Sequence, residues 1–112
     1  MAAKACVKYV RISPSKARQV INLVRGQNVI EAIEMLKHMN KKAARPVRKL
    51  LQAAAANAVH LSDEENPVDV DSLVVSDIYA NEGPTMKRLR ERALGRANVI
   101  RKRTTHLHVE VS

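Results

Sequence analysis

The chain has 112 residues and a formal net charge of +9, with 20 Lys and Arg against 11 Asp and Glu. This length predicts a single domain, and the charge favours nucleic acid, ahead of an anionic membrane surface, as the partner. The apolar runs are too short to span a bilayer and the N-terminus has no apolar signal segment, so we expect a soluble, intracellular protein without membrane contact. The single cysteine, Cys6, excludes an internal disulfide and a multi-cysteine zinc site.

The first part of the chain is predicted to form a strand followed by a helix. Residues alternate from Lys4 to Ile12, which predicts a strand in which Cys6 is a small packed side chain. Ser13-Pro14 is typical of a helix start, and Gly26 predicts a left-handed residue at the end of that helix. The apolar stripe between them consists of Ala17, Val20, Ile21 and Val24.

Two more helices are predicted before residue 62. Asn28 predicts the N-cap of the second helix, which should end near Asn40. The third helix is predicted to begin at residues 40–42 and to stop near His60–Leu61, with a kink or a frayed first turn caused by Pro46. Asn57 is expected to tie down a neighbouring loop. The buried faces are predicted to contain Val29, Ala32, Ile33 and Leu36 in the second helix and Val47, Leu50, Leu51, Ala54 and Ala58 in the third.

An acidic loop, expected to be solvated, extends to Asp71, and two predicted strands follow with a basic segment between them. These strands are Leu73–Ala80 and Thr104–Val111. In the last strand the apolar residues at 107, 109 and 111 face away from His106, His108 and Glu110. The fold class is therefore predicted to be α+β, with three helices packed on one face of a small three-stranded, mainly antiparallel sheet and a long protruding basic β-hairpin. We expect one domain, 1–112, with a body of 1–80 and 104–112, an extended hairpin of 81–103, and a second sheet face free to meet a partner.

The basic segment 83–103 is compatible with a strand or a helix. From Lys87 onward it has eight Lys or Arg against one acid, Glu91. An extended strand puts Arg88, Arg90 and Arg92 on one face, whereas a helix would also place basic residues in a stripe. The flanking strands and the glycines at 83 and 95 favour two strands, whose far end could stand about 30 Å from the body if each has about ten residues. The segment has too little apolar surface for a core of its own, so we expect an anionic partner to order it.

The residues do not form a catalytic or metal-binding motif. There is no phosphate-binding loop, no dinucleotide-binding glycine motif and no H-E-x-x-H sequence. His106 and His108 could supply half a metal site, but no nearby Cys or His completes it. We therefore expect a non-enzyme with no cofactor and no metal. With Tyr9 and Tyr79 as the only aromatic residues, RNA contact is predicted to depend on Arg and Lys at phosphates and on shape, with little base stacking.

Three segments resemble a known family. They are Arg11-Ile-Ser-Pro-Ser-Lys-Ala-Arg18, Ala55-Ala-Asn57-Ala58 and the run from Glu82-Gly-Pro through Lys87-Arg88 to Arg101-Lys-Arg-Thr-Thr-His106. The chain resembles, over nearly its whole length and in motif order, the bacterial type of the large-subunit ribosomal protein twenty-two family. The resemblance implies a structural constituent of the large ribosomal subunit in the cytoplasm. It also implies that the chain binds large-subunit rRNA and neighbouring ribosomal proteins, supports assembly and extends a β-hairpin along the nascent-peptide exit tunnel, where it meets the nascent polypeptide.

Charge and resemblance together give the candidate site residues. The predicted rRNA-binding residues are Arg11, Lys16, Arg18, Arg25, Lys87, Arg88, Arg90, Arg92, Arg96, Arg101, Lys102 and Arg103. For Lys16 and Arg18, simple solvation remains an equal alternative. The resemblance implies a tunnel-facing hairpin tip formed by Met86, Lys87, Arg88, Arg92, Ala93, Leu94, Gly95 and Arg96, although Glu91 and Leu94 depart from the family pattern. Two other hypotheses stay open: a nucleoid-type DNA-binding protein, and a protein-interaction module that uses the acidic loop and the free sheet face.

Overall fold

The computed structural model describes residues 3–62, 67–91, 95 and 97–112. In chain order the elements are β1 (Ala3–Val10), α1 (Pro14–Val24), α2 (Val29–Lys37), α3 (Ala44–Leu61), a 3-10 turn (Val70–Ser72), β2 (Val75–Glu82), β3 (Met86–Glu91), β4 (Ala97–Lys102) and β5 (Thr105–Val111).

The body is built on a three-stranded sheet in the order β1-β5-β2, in which both pairs of neighbours are antiparallel. Along β5 the residues alternate between buried and half-buried positions, which gives the sheet one face toward the helices and one face toward solvent. The helix-side face contributes Val75, Ile78, Leu107 and Val111 to the core, opposite Ile21 and Leu51 of the helices. The predicted α+β class, with three helices and a mainly antiparallel sheet, is confirmed.

Local sequence signals define the first two helices. The Ser13 hydroxyl accepts from the Lys16 N–H at 3.4 Å and Pro14 is the first helical residue, as predicted for α1. Gly26 has the predicted positive φ of 80°. The Asn28 side chain accepts from the first-turn amides of α2 at residues 30 and 31, so this predicted cap is also confirmed. The predicted apolar stripe of α1 is fully buried.

The third helix begins later than predicted, at Ala44. This start places Pro46 in the first turn, where backbone N–H groups have no partner within the helix, so the ring replaces a donor that the helix does not use. The predicted buried face of α3 is confirmed. Asn57 does tie the helix down, but its amide donates to the Lys4 carbonyl of β1 at 2.9 Å, so the predicted loop partner was wrong. Among the described helices, none combines the length and the apolarity needed to cross a bilayer.

The prediction that Cys6 is packed was wrong. Cys6 pairs with His108 across the β1–β5 ladder, and its side chain is exposed. Its neighbours Ala5 and Val7 pair with residues 109 and 107, whose side chains are in the core. Because side chains alternate along a strand, Cys6 faces away from the helices. The sequence pattern alone did not show which of the two alternating sets of β1 side chains packs against the helices.

The two strands that carry the basic segment extend the body in one direction. The pairing of β2 with β5 continues through a bond from the Gly83 N–H to the Thr104 carbonyl at 3.0 Å and then into the antiparallel β3–β4 pair. The molecule measures 68 × 25 × 16 Å and has a radius of gyration of 17.3 Å. A compact chain of this length would have a radius of gyration of about 13 Å. We call the β3–β4 pair the arm, and its junction with the body at residues 83–85 and 103–104 the root.

Candidate nucleic-acid interface

The strand interpretation of the basic segment is confirmed for the described residues. Met86 pairs with Lys102, Lys87 with Arg101 and Arg88 with residue 100. Each described strand has six residues, which corresponds to about 20 Å. The predictions for Arg92, Ala93, Leu94 and Arg96 lie outside the described residues, and Gly95 has a positive φ of 70°.

Both faces of the arm carry positive charge. Residues directly opposite each other in an antiparallel pair share a face, so Arg88 and Arg90 lie on the same face as Lys102, and Lys87 lies beside Arg101 on the other. All five side chains are exposed. Like charges directly opposite each other on neighbouring strands destabilise the pairing, so the arm gains stability when an anion lies between Lys87 and Arg101.

A groove of about 930 Å³ lies at the root of the arm. We call it the root groove. Its body side is formed by the segment that leads into α1 and by the loop between α2 and α3, and its arm side by the end of β4. Seven cationic residues line it, and none of the described residues that line it is acidic. The cations are Arg11, Lys16, Lys41, Lys42, Arg101, Lys102 and Arg103.

Two of these cations, Lys41 and Lys42, are absent from the predicted binding set. The sequence predicts both lysines at the start of the third helix. Because α3 begins only at Ala44, they lie in the loop before it and line the root groove. The sequence did contain a signal that these lysines lie in a loop. Pro46 favours a helix that starts late, and this leaves the Lys-Lys pair upstream of the helix.

Two predicted rRNA-binding residues, Arg18 and Arg25, have their guanidinium groups engaged in the body. Arg18 Nη2 donates to the Ala80 carbonyl at 3.0 Å, and Arg25 Nη2 donates to the Ile78 carbonyl at 2.7 Å. These carbonyls belong to β2, an edge strand of the sheet. Further along the same edge the Gly26 N–H bonds to the residue 75 carbonyl at 2.9 Å. Thus α1 and its C-terminal end cover backbone groups that an edge strand would otherwise leave open, and the RNA contacts of Arg18 and Arg25 stay a prediction.

Close contacts hold the root in one geometry. The Thr104 hydroxyl donates to the Pro84 carbonyl at 2.7 Å, and a Cβ added to Gly83 would collide with that hydroxyl. The buried Thr105 hydroxyl donates to the Ile12 carbonyl at 2.7 Å, which ties the start of β5 to the segment before α1. A salt bridge of 3.1 Å joins Arg103 to Glu82 across the root. The groove walls are therefore connected to one another, and its cations project from a defined frame.

The remaining polar clusters do not belong to the residues that line the groove. On α2 the hydrogen bond from His38, with the nearby charge of Lys37, lowers the pKa of the Glu34 carboxyl. On the open face of the sheet, His106 and His108 each meet a tyrosine ring. Within the described ranges, no group of three His, Cys, Asp or Glu is arranged to hold a metal ion.

Comparison with known proteins identifies the family. The family model described as ribosomal protein L22p/L17e matches residues 5–112. The chain belongs to this family. It is 52% identical over 109 residues to the large ribosomal subunit protein uL22 of Desulfitobacterium hafniense strain Y51, which covers 97% of this chain and 92% of that protein. It is 51% identical over 112 residues to the uL22 of Halothermothrix orenii, covering 100% of this chain and 96% of that protein. The uL22 of Fusobacterium nucleatum is 50% identical over 112 residues, with coverage of 100% and 97%.

Membership in the L22p/L17e family confirms the resemblance inferred from the three sequence segments. The family consists of structural ribosomal proteins, so the expectation of a non-enzyme is confirmed. Its place in the cytoplasm, within the ribosome, is confirmed on the same ground. RNA binding and a part in translation are consistent with the family.

Proposed function

We propose that this chain, as a structural constituent of the large ribosomal subunit, binds large-subunit rRNA through the root groove and the arm. The relatives at 50–52% identity are named large ribosomal subunit proteins. The observation that carries the proposal is the root groove of about 930 Å³, which is lined by seven cations and by no acid among the described lining residues. A groove of this charge fits a phosphate backbone, because neutralising phosphates releases condensed counterions.

The arm supports the same partner. Its two faces are both cationic, and the facing pair of Lys87 and Arg101 favours an anion placed between them. The apolar residues Leu89 and Val99 also lie opposite each other on the arm, 76% and 56% exposed. An arm with charge on both faces fits a cleft within folded RNA, where phosphates are available on two sides.

The finer roles follow from the family resemblance. We propose a single domain, 1–112, in which the body of 1–80 and 104–112 rests on rRNA and beside neighbouring ribosomal proteins, while the hairpin of 81–103 reaches the wall of the exit tunnel and the nascent polypeptide. The elongated form of the molecule, 68 Å in its longest dimension, supports this arrangement. By holding separate RNA segments at the groove and along the arm, the chain would support assembly of the subunit.

A matched pair of double variants tests rRNA binding at the root groove. Lys41→Ala/Lys42→Ala removes two groove cations, and Lys4→Ala/Lys49→Ala removes two exposed cations outside it, so both lower the net charge by two. We expect the groove variant to reduce the slope of log affinity for an rRNA fragment against log salt by about 1.5, or roughly 0.7–0.9 for each lost phosphate contact. The control should change it far less.

Equal slopes for the two double variants would contradict binding in the groove. Sucrose-gradient sedimentation supplies the second readout. The tagged chain should migrate with large subunits and leave that position after nuclease treatment. Migration apart from ribosomes, together with tight binding to duplex DNA, would refute the ribosomal proposal.

A further inference from the structure

Tyr9 has an unusual backbone conformation for an aromatic residue. Its φ is 60°, and it is the one residue other than glycine with a positive φ in the described part of the chain. This left-handed region is disfavoured for bulky side chains, whereas Gly and Asn adopt it more readily. The ring is nevertheless 64% exposed, so core packing does not account for a tyrosine at this position. A strained residue with an exposed side chain is a candidate for function.

The surrounding structure holds Tyr9 in place. The β1–β5 pairing is irregular between Val7 and Val10, and Tyr9 lies within this bulge. Its N–H donates to Nδ1 of His106 at 3.1 Å. The two rings are perpendicular, with an interplanar angle of 89° and centroids 5.0 Å apart. The bulge therefore re-aims one side chain at the end of the strand, which is a recurrent use of bulges near binding sites.

Tyr79, the other aromatic residue, is placed differently. Its ring is stacked on His108, with an interplanar angle of 12° and centroids 4.8 Å apart, so one of its faces is covered. The perpendicular contact of Tyr9 with His106 leaves at least one face of the Tyr9 ring open. A flat partner can therefore stack on Tyr9 without displacing His106.

Tyr9 lies at the root of the arm and is close in the chain to residues that line the root groove. It lies two residues before Arg11, and His106 lies two residues after Thr104, and both Arg11 and Thr104 line the groove. The Cε1 atom of His106 is 3.3 Å from the position that a Cβ on Gly83 would take, which places the Tyr9–His106 pair at the root of the arm. Lys8, beside Tyr9 in the chain, is exposed and adds a further cation.

We propose that the exposed face of Tyr9 stacks on an unpaired base of the RNA strand whose phosphates lie in the root groove. The proposal rests on the proposed rRNA binding and deepens it. An open aromatic ring beside a cationic groove is the combination with which proteins hold single-stranded nucleic acid, and stacking of one base raises affinity on the order of ten-fold. It also revises the expectation that stacking contributes little, because a single ring in the right place is enough to select an unpaired nucleotide.

The composition of the chain makes this stacking directly observable. There is no Trp and there are two Tyr, so Tyr79→Phe leaves Tyr9 as the sole tyrosine fluorophore, and Tyr9→Phe leaves Tyr79. The probes are a single-stranded adenine oligoribonucleotide, an abasic strand with the same number of phosphates, and an A-form RNA duplex. We expect the adenine strand to quench Tyr9 emission in the Tyr79→Phe protein, with little effect from the abasic strand or the duplex and little quenching of Tyr79 in the Tyr9→Phe protein. Equal quenching by the adenine and abasic strands, or none by either, would overturn the inference.

Affinity measurements separate stacking from phosphate binding. Tyr9→Asn, which suits the positive φ, should lower affinity for the adenine strand about ten-fold at every salt concentration without changing the salt slope, while Tyr9→Phe should bind like the parent. Tyr9→Asn should melt no lower than the parent protein. If the groove variant loses salt slope but Tyr9→Asn keeps full affinity, rRNA binding stands and the stacking proposal fails. If the parent protein does not bind the strands or an rRNA fragment, the proposed function itself fails.

A protein partner is the competing occupant of this ring. With p-benzoylphenylalanine in place of Tyr9, irradiation of assembled large subunits should cross-link position 9 to rRNA. A cross-link to a ribosomal protein in place of rRNA would overturn the inference.

Discussion

Replacing Arg25 with Ala should lower stability rather than weaken RNA binding. The Arg25 guanidinium donates to the Ile78 carbonyl at 2.7 Å and to the Asn22 side chain at 2.8 Å. The Ile78 carbonyl is on the edge strand β2, and the bond is partly buried. Hydrogen bonds from charged donors contribute about 1.5–3 kcal/mol, and partial access of water puts this one at the lower end, about 1.5 kcal/mol. For a domain of this size that loss corresponds to a fall in Tm of roughly 6 °C.

The assay is thermal unfolding followed by circular dichroism, with RNA affinity measured across a salt series. Arg101→Ala is the matched control, because Arg101 is exposed, lines the root groove and faces Lys87. The control should keep the parent Tm, because the substitution removes a contact between like charges. It should reduce the slope of log affinity against log salt by about 0.7–0.9, the value for one lost phosphate contact. If Arg25→Ala kept the parent Tm and lost that salt slope instead, the edge-covering role of Arg25 would be wrong and the sequence-based prediction of an RNA contact would be right.

Two further substitutions test the root and the arm. Gly83→Ala should lower the free energy of unfolding by about 1–2 kcal/mol, because the new methyl group displaces the Thr104 hydroxyl from its hydrogen bond. A chemical-denaturation midpoint equal to that of the parent would contradict this prediction. Lys87→Glu places opposite charges across β3 and β4 and should stabilise the free arm by about 0.2–1 kcal/mol while weakening rRNA binding. Amide exchange of the arm in free protein measures the first effect, and slower exchange is expected next to Arg101; exchange as fast as in the parent would count against the facing-charge argument.

Features set by local sequence were predicted well. The Ser13 and Asn28 caps, the positive φ of Gly26 and the buried stripe of α1 each depend on a few neighbouring residues, so the sequence contained the necessary information. For Pro46 the sequence predicted a kink or a frayed first turn in a helix that starts at residues 40–42, whereas α3 starts at Ala44 and holds Pro46 in its first turn.

Features that depend on packing between distant segments were not predicted. The root groove joins residues 11–19, 41–43, 86 and 101–104, and no local pattern brings these segments together. The hydrogen bond of Arg25 was not predicted for the same reason. In the sequence Arg25 is a surface cation at the end of α1, and it donates to the edge strand only because β2 lies beside that helix. The conformation of Tyr9 was not predicted either, because its bulge appears only in the pairing of β1 with β5. The alternation of residues around Cys6 indicated that β1 has two faces, but it did not indicate which face the helices cover.

The way in which the arm joins the body has a mechanical consequence. β4 leads through Arg103 and Thr104 directly into β5, the middle strand of the sheet, and β2 leads into β3 alongside it. A pulling force along the arm therefore loads the inter-strand hydrogen bonds in shear, so that many of them must break together. A force perpendicular to the arm would break the same bonds one after another. The fold therefore resists tension along its long axis without separation of the helices from the sheet.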